Sequence, residues 1–176
     1  FTSFKDNVTV VRLEADQAGK LDFNVAYAGS NKSNIEKLIS NELFDNHTIK
    51  AMMGPARDKC ENVDNKLHLC TYIRVIDCDG TIENDQTTIY GQGTIGAATK
   101  APRLKITGAT HATIIVSQAT NFKKYNDVSG NADATAFAYL QNYETSGKDY
   151  ATTLADHKAV YKQQFDRVDL TLDGNA

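Results

Sequence analysis

The sequence predicts a mainly β protein, an antiparallel β-sandwich followed by two C-terminal helices and a short strand. Three observations carry this. Up to Ser117 the chain breaks into short segments, β-branched or alternating with period two, punctuated by Gly, Asn and Asp. Beyond Ser117 the spacing becomes helical, with Phe137, Leu140, Tyr143 and Glu144 on one face. Finally, Tyr150, Leu154, His157, Tyr161, Phe165 and Val168 are spaced four, three, four, four and three apart, one helical stripe. Val168, Leu170 and Leu172 then return to period two.

Taken in order, residues 8–15 are rich in β-branched side chains and read as a strand. Asp16-Gln17-Ala18-Gly19 supplies turn chemistry. Leu21, Phe23, Val25 and Tyr27 alternate with polar neighbours, predicting a half-buried strand antiparallel to the first. A polar loop at 29–33 follows. Ile35, Leu38, Ile39 and Leu43 have helical spacing and predict a short helix, and residues 48–53 a strand. Residues 54–65 have no period and read as a loop. In 67–77, Leu67, Leu69, Ile73 and Val75 share one face, while Cys70, Tyr72 and Ile76 make the other apolar too. Such a strand belongs in the middle of a sandwich or beneath another layer. Asp79-Gly80 signals a hairpin turn. Strands are expected at 86–90, 103–107 and 112–117, with a glycine loop at Gly91, Gly93 and Gly96. Asp133 is the expected N-cap of the first helix, Gly147 its C′ residue, and Asp149 the N-cap of the second. We therefore divide the chain into a sandwich portion, 1–130, and a helical exit, 131–176.

Bulk properties narrow the function. With 176 residues the chain can bury a core without staples. A formal charge of −3 and no basic face argue against nucleic acid. No apolar run approaches the ~20 residues of a membrane helix. Cys60, Cys70 and Cys78 are an odd number without a C-x-x-C pair, and read as free thiols rather than a disulfide or zinc framework. His47, His68, His111 and His157 are too scattered for a metal site, so no metal or other cofactor is expected. Asn7, Asn31 and Asn46 open N-x-S/T triplets, for which chance is the default. The chain opens at Phe1 without an initiator Met and reads as a piece of a longer protein, with any targeting segment elsewhere.

Three stretches carry a resemblance: FTSFKDNVTVVRLEAD at the start, SQATNFKKYNDVSGNADATAFAYL, and the terminal YATTLADHKAVYKQQFDRVDLTL. Their T-N-F-x-x-Y run is Thr120, Asn121, Phe122 and Tyr125. Their H-x-x-x-Y-x-x-x-F-x-R-V run is His157, Tyr161, Phe165, Arg167 and Val168. Together they resemble the second half of the N-terminal domain of family-95 glycoside hydrolases, the α-L-fucosidases. The middle, 31–65, departs from the family pattern. The resemblance implies a large super-sandwich-like β domain, a helical linker and a following (α/α)₆ barrel that carries catalysis. It implies a parent enzyme that removes terminal α-linked L-fucose, or related L-galactose, with inversion, through a Glu acid and an Asn base activated by an Asp. Those residues belong to the barrel, so no catalytic residue is assigned here and the chain alone is expected to be inactive. The implied partners are the barrel of the same polypeptide and a fucosylated glycan, and the implied location is secreted or periplasmic.

Asp156 and His157 resemble a dyad on paper, but adjacent helical residues point about 100° apart. His157 is expected to pack and hydrogen-bond at a helix–sheet or helix–barrel junction. Tyr150, Leu154, His157, Tyr161 and Phe165 are the candidate inter-domain packing residues, and Phe122 and Tyr125 the candidate sugar contacts. For Phe122, Tyr125, Tyr139 and Tyr143, packing of the sandwich against the helices weighs more than a sugar platform. Two alternatives stand beside the fucosidase reading. One is a stand-alone carbohydrate-binding module, marked by an exposed aromatic platform. The other is the same domain of a disaccharide phosphorylase, marked by release of sugar phosphate.

Overall fold

A computed structural model describes residues 1–28, 37–55, 59–90 and 98–170. The loops expected at 29–33 and around Gly91, Gly93 and Gly96, the Asn31 triplet, Ile35 and Leu172 lie outside the described residues. The elements run β1 (Thr2–Ser3), β2 (Val8–Glu14), β3 (Leu21–Val25), β4 (Leu38–Asp45), β5 (Thr48–Met53), β6 (Lys59–Cys60) and β7 (Val63–Asp64). They continue with β8 (Leu69–Ile76), β9 (Thr81–Tyr90), β10 (Ala98–Ala109), β11 (His111–Thr120), and the helices α1 (Ala132–Thr145) and α2 (Tyr150–Phe165). Among the described residues the strands form a six-stranded sheet in the order β1-β2-β11-β8-β5-β4, a three-stranded sheet β3-β10-β9, and the small ribbon β6-β7. All their pairings are antiparallel.

The six-stranded sheet is the middle of three layers. One face packs Ile49, Val75 and Ile114 against Leu104, Ile106 and Ala109 of the smaller sheet. Its other face packs Val8, Val10, Cys70, Tyr72 and Ile115 against Ala132, Ala136, Leu140 and Tyr143 of α1. This explains the two-faced apolar pattern of β8, since Cys70 and Tyr72 point to the helix while Ile73 and Val75 point to the second sheet.

Four expectations are corrected. The helix expected around Leu38, Ile39 and Leu43 is the edge strand β4, with Leu43 opposite Ile49 and Asn41 opposite Ala51. A short run of mixed polarity fits either period, and the free edge of β5 decides it. Second, β2 and β3 do not pair; β2 joins β11 and β3 joins β10 in the opposite sheet. Third, Asp79-Gly80 is no hairpin but the crossing from β8 to β9 between the two sheets. Three such crossings meet at Thr110, whose carbonyl accepts from the Ala15 N–H and whose hydroxyl accepts from the Gly19 N–H. Asp79 accepts the N–H groups of Thr110 and His111, which hold its carboxyl near a pKa of about 2. Gly80 is required there, because a Cβ would sit 2.7 Å from that of Ala109. Fourth, Val168 and Leu170 belong to no strand and are exposed.

Candidate functional site

Helix α2 begins where the sequence placed it. Gly147 has φ 64° beyond the C-cap Ser146, and the Asp149 side chain accepts the Thr152 N–H at 2.8 Å. The cap of α1 differs from the expectation. Asn131 is the N-cap, accepting from the Ala134 N–H, and Asp133 sits inside the first turn. There Asp133 takes Lys50 Nζ at 2.7 Å and the Tyr72 hydroxyl, and Cys70 Sγ lies 3.7 Å away. Burial pushes the Asp133 carboxyl up, but Lys50 and Tyr72 together hold it below the usual range. Burial, reinforced by Asp133, raises the Cys70 thiol to about 11. Cys70 and Cys78 are free thiols.

Among the described residues, helix α2 is fastened to the body through its first turns. Thr153 is buried, its hydroxyl 3.0 Å from that of Tyr143. Lys148 bridges Asp6 at 2.8 Å and Asp156 at 3.1 Å, and Lys5 reaches Asp156 at 3.3 Å. Asp156 is thus committed to lysines and not to His157.

The predicted stripe becomes a ladder of rings. Phe1 lies 5.9 Å from Tyr150 and stacks on His157 at 4.9 Å. His157 stacks on Tyr161 at 5.9 Å, and Tyr161 on Phe165 at 5.3 Å. Leu154, Tyr150 and His157 are half-buried. Tyr161 and Phe165 are 46% and 62% exposed. His157 stacks between Phe1 and Tyr161, but its buried Nδ1 makes none of the hydrogen bonding expected of it. Phe1, the ring that joins the ladder to the sheet, escaped the sequence reading because nothing local ties residue 1 to residue 157.

The T-N-F-x-x-Y run divides. Asn121 is buried; its amide NH₂ donates to the carbonyls of Lys66 and Val128, and its Oδ1 accepts the His68 N–H. It locks the loop after β11 onto the loop before β8. Phe122 and Tyr125 are 53% and 91% exposed, while Tyr139 and Tyr143 pack against the core. Packing against the helices thus holds for the last two only. Tyr125 rims a groove of about 330 Å³ whose opposite wall is 63–67; Phe122 does not line it. Residues 63–65 of that wall fell in the aperiodic stretch and gave no signal, and Leu67 was read as part of the strand expected at 67–77.

Among the described residues no group of three His, Cys, Asp or Glu could hold a metal ion, and no helix is long and apolar enough to cross a membrane.

The described residues thus form a layered β-sandwich that exits through two helices. The family model for glycosyl hydrolase family 65, N-terminal domain, matches residues 1–125, and the chain belongs to that family. No curated protein matches it. What is established is a glycosyl-hydrolase N-terminal domain; its family is 65, whereas the motifs resemble family 95. Both helices lie beyond the matched residues.

Proposed function

We propose that this chain is the non-catalytic β domain of an inverting exo-α-L-fucosidase whose helical barrel lies elsewhere in the same polypeptide. Residues 1–130 serve as the sandwich portion and 131–176 as the exit toward that barrel. The observation that carries the reading is the ring ladder of α2. It starts against Phe1 and ends at Tyr161 and Phe165, exposed apolar area of the kind that meets another protein surface. Tyr150, Leu154, His157, Tyr161 and Phe165 are the packing residues of that contact. The motifs in which they stand supply the fucosidase assignment. The parent is read as secreted or periplasmic, with a fucosylated glycan as substrate.

The family-65 match favours a second reading, a disaccharide phosphorylase of the same two-domain plan. Product analysis of the protein carrying its downstream region separates them: free L-fucose in the inverted anomeric form supports the first, sugar phosphate the second. Hydrogen exchange tests the contact itself. Amides at the C-terminal end of α2 should be better protected in the longer protein than in the 176-residue chain. Equal exchange in both removes the docking role.

A further inference from the structure

The groove beside Tyr125 has no part in the docking of α2, and its two walls are built to stay in place. One wall is the tight turn 124–127, closed by paired backbone hydrogen bonds between Lys124 and Asp127. Asp127 also accepts the Ser129 N–H at 2.9 Å, and Lys123 Nζ reaches the Ser129 hydroxyl at 3.0 Å. The second wall is 63–67, where Asn65 Oδ1 accepts the Leu67 N–H at 3.1 Å. Asn121 ties both together, at the Val128 carbonyl on one side and the Lys66 carbonyl on the other.

Into this groove the chain presents an uncovered aromatic ring, Tyr125, and the apolar side chains of Val63 and Leu67, all exposed. Around them stand Asp64, Asn65 and Asn126, carboxylate and amide groups that donate and accept hydrogen bonds. A pyranose ring has a matching character: an apolar face of C–H groups that lies on an aromatic ring, and a rim of hydroxyls that seek amides and carboxylates. Tyr is suited to such a face because it gives a rigid, amphipathic surface at low entropic cost. Walls held by hydrogen bonds lower the ordering cost of binding further.

We propose that this groove binds a pyranoside unit, with Tyr125 as the stacking platform and Asn126 and Asp64 as hydroxyl partners. The proposal rests on membership in a glycosyl hydrolase family and not on the fucosidase reading, so it survives if the parent enzyme releases another sugar.

The test is a heteronuclear NMR titration of the ¹⁵N-labelled 176-residue chain. The probes are methyl α-L-fucopyranoside, methyl α-D-glucopyranoside, methyl β-D-galactopyranoside and lactose. At least one should give saturable shifts in the millimolar range, confined to 63–67 and 125–128. Tyr125→Ala should weaken the affinity about tenfold while leaving the rest of the spectrum in place, and Tyr125→Phe should retain it. Asn126→Ala should weaken it less. No saturable shift with any of the four probes overturns the site, as do shifts that persist unchanged in Tyr125→Ala.

Discussion

Helices α1 and α2 follow one another, have 14 and 16 residues, and each carries apolar side chains at helical spacing. Their surroundings differ sharply. In α1, Ala132, Ala136, Leu140 and Tyr143 are buried against the middle sheet, and Phe137 meets the rings of Phe44 and Tyr72 at 5.4 Å. In α2 only Thr153 is buried, and the stripe is a ladder of rings that leaves the body. Small residues let α1 approach the sheet closely, whereas large rings on α2 stack on one another. An apolar stripe at helical spacing therefore marks a face that seeks cover, without saying whether the cover is in the same domain.

The largest effect should separate these helices directly. Leu140→Ala empties a fully buried site and should cost about 2–5 kcal/mol in urea unfolding of the 176-residue chain. Phe165→Ala removes a larger but exposed ring and should cost under about 0.5 kcal/mol. Similar losses for both would mean that α2 is core after all.

The next effect concerns the loop that carries the groove beside Tyr125. Asn121→Ala leaves the Lys66 and Val128 carbonyls and the His68 N–H without their side-chain partner. It should lower stability by about 1–3 kcal/mol, and shift the amide resonances of 63–67 and 124–128 together. If only one of the two walls moved, Asn121 would not be the clamp between them.

A smaller effect tests the joint between the helices. Tyr143→Phe deletes a buried hydroxyl 3.0 Å from that of Thr153, which keeps its bond to the Asp149 carbonyl. The expected loss is about 0.5–1.5 kcal/mol, with faster hydrogen exchange in the first turn of α2 and little change in the body of α1.

How much of this was legible follows from the range of the interactions. Strand β5, the buried strands β8 and β11, the cap Asp149 and the stop at Gly147 rest on local chemistry, and the pattern carried them. The start of β9 and the outer part of β10 were missed, because residues 81–85 are polar apart from Ile82 and owe their conformation to pairing with 103–107, as 98–102 do to pairing with 86–90. Two of the three sheet crossings, at 16–19 and 79–80, read as turns between paired strands, since a turn signal fixes the bend but not the strand's next partner. For the candidate site, the α2 stripe was legible as a face, whereas Phe1 is brought in by a contact across most of the chain and the wall 63–67 by one 55 residues long. The capping of α1 went to Asn131 rather than Asp133 for a related reason. Asp133 is drawn into an ion pair with Lys50, 83 residues away.

That ion pair gives the subtlest test, one of sign rather than size. Burial alone would raise the Asp133 carboxyl; Lys50 and Tyr72 reverse the direction and hold it below the ordinary carboxylate value of about 3.9. A carboxyl lowered by folding contributes stability that is fully present above its unfolded value and is lost as pH falls through the folded one. The clamp at the start of α1 is therefore intact at neutral pH and releases only in acid. With Lys50→Met the favourable charge is gone while burial remains, so the Asp133 midpoint, followed by its carboxyl ¹³C shift, should move up and the acid loss of stability should begin at higher pH. Helix α2 supplies the control: Asp156, held low by Lys148 and Lys5, should keep its midpoint in that variant. An unchanged Asp133 midpoint would show that Tyr72, and not the lysine, holds the carboxyl low.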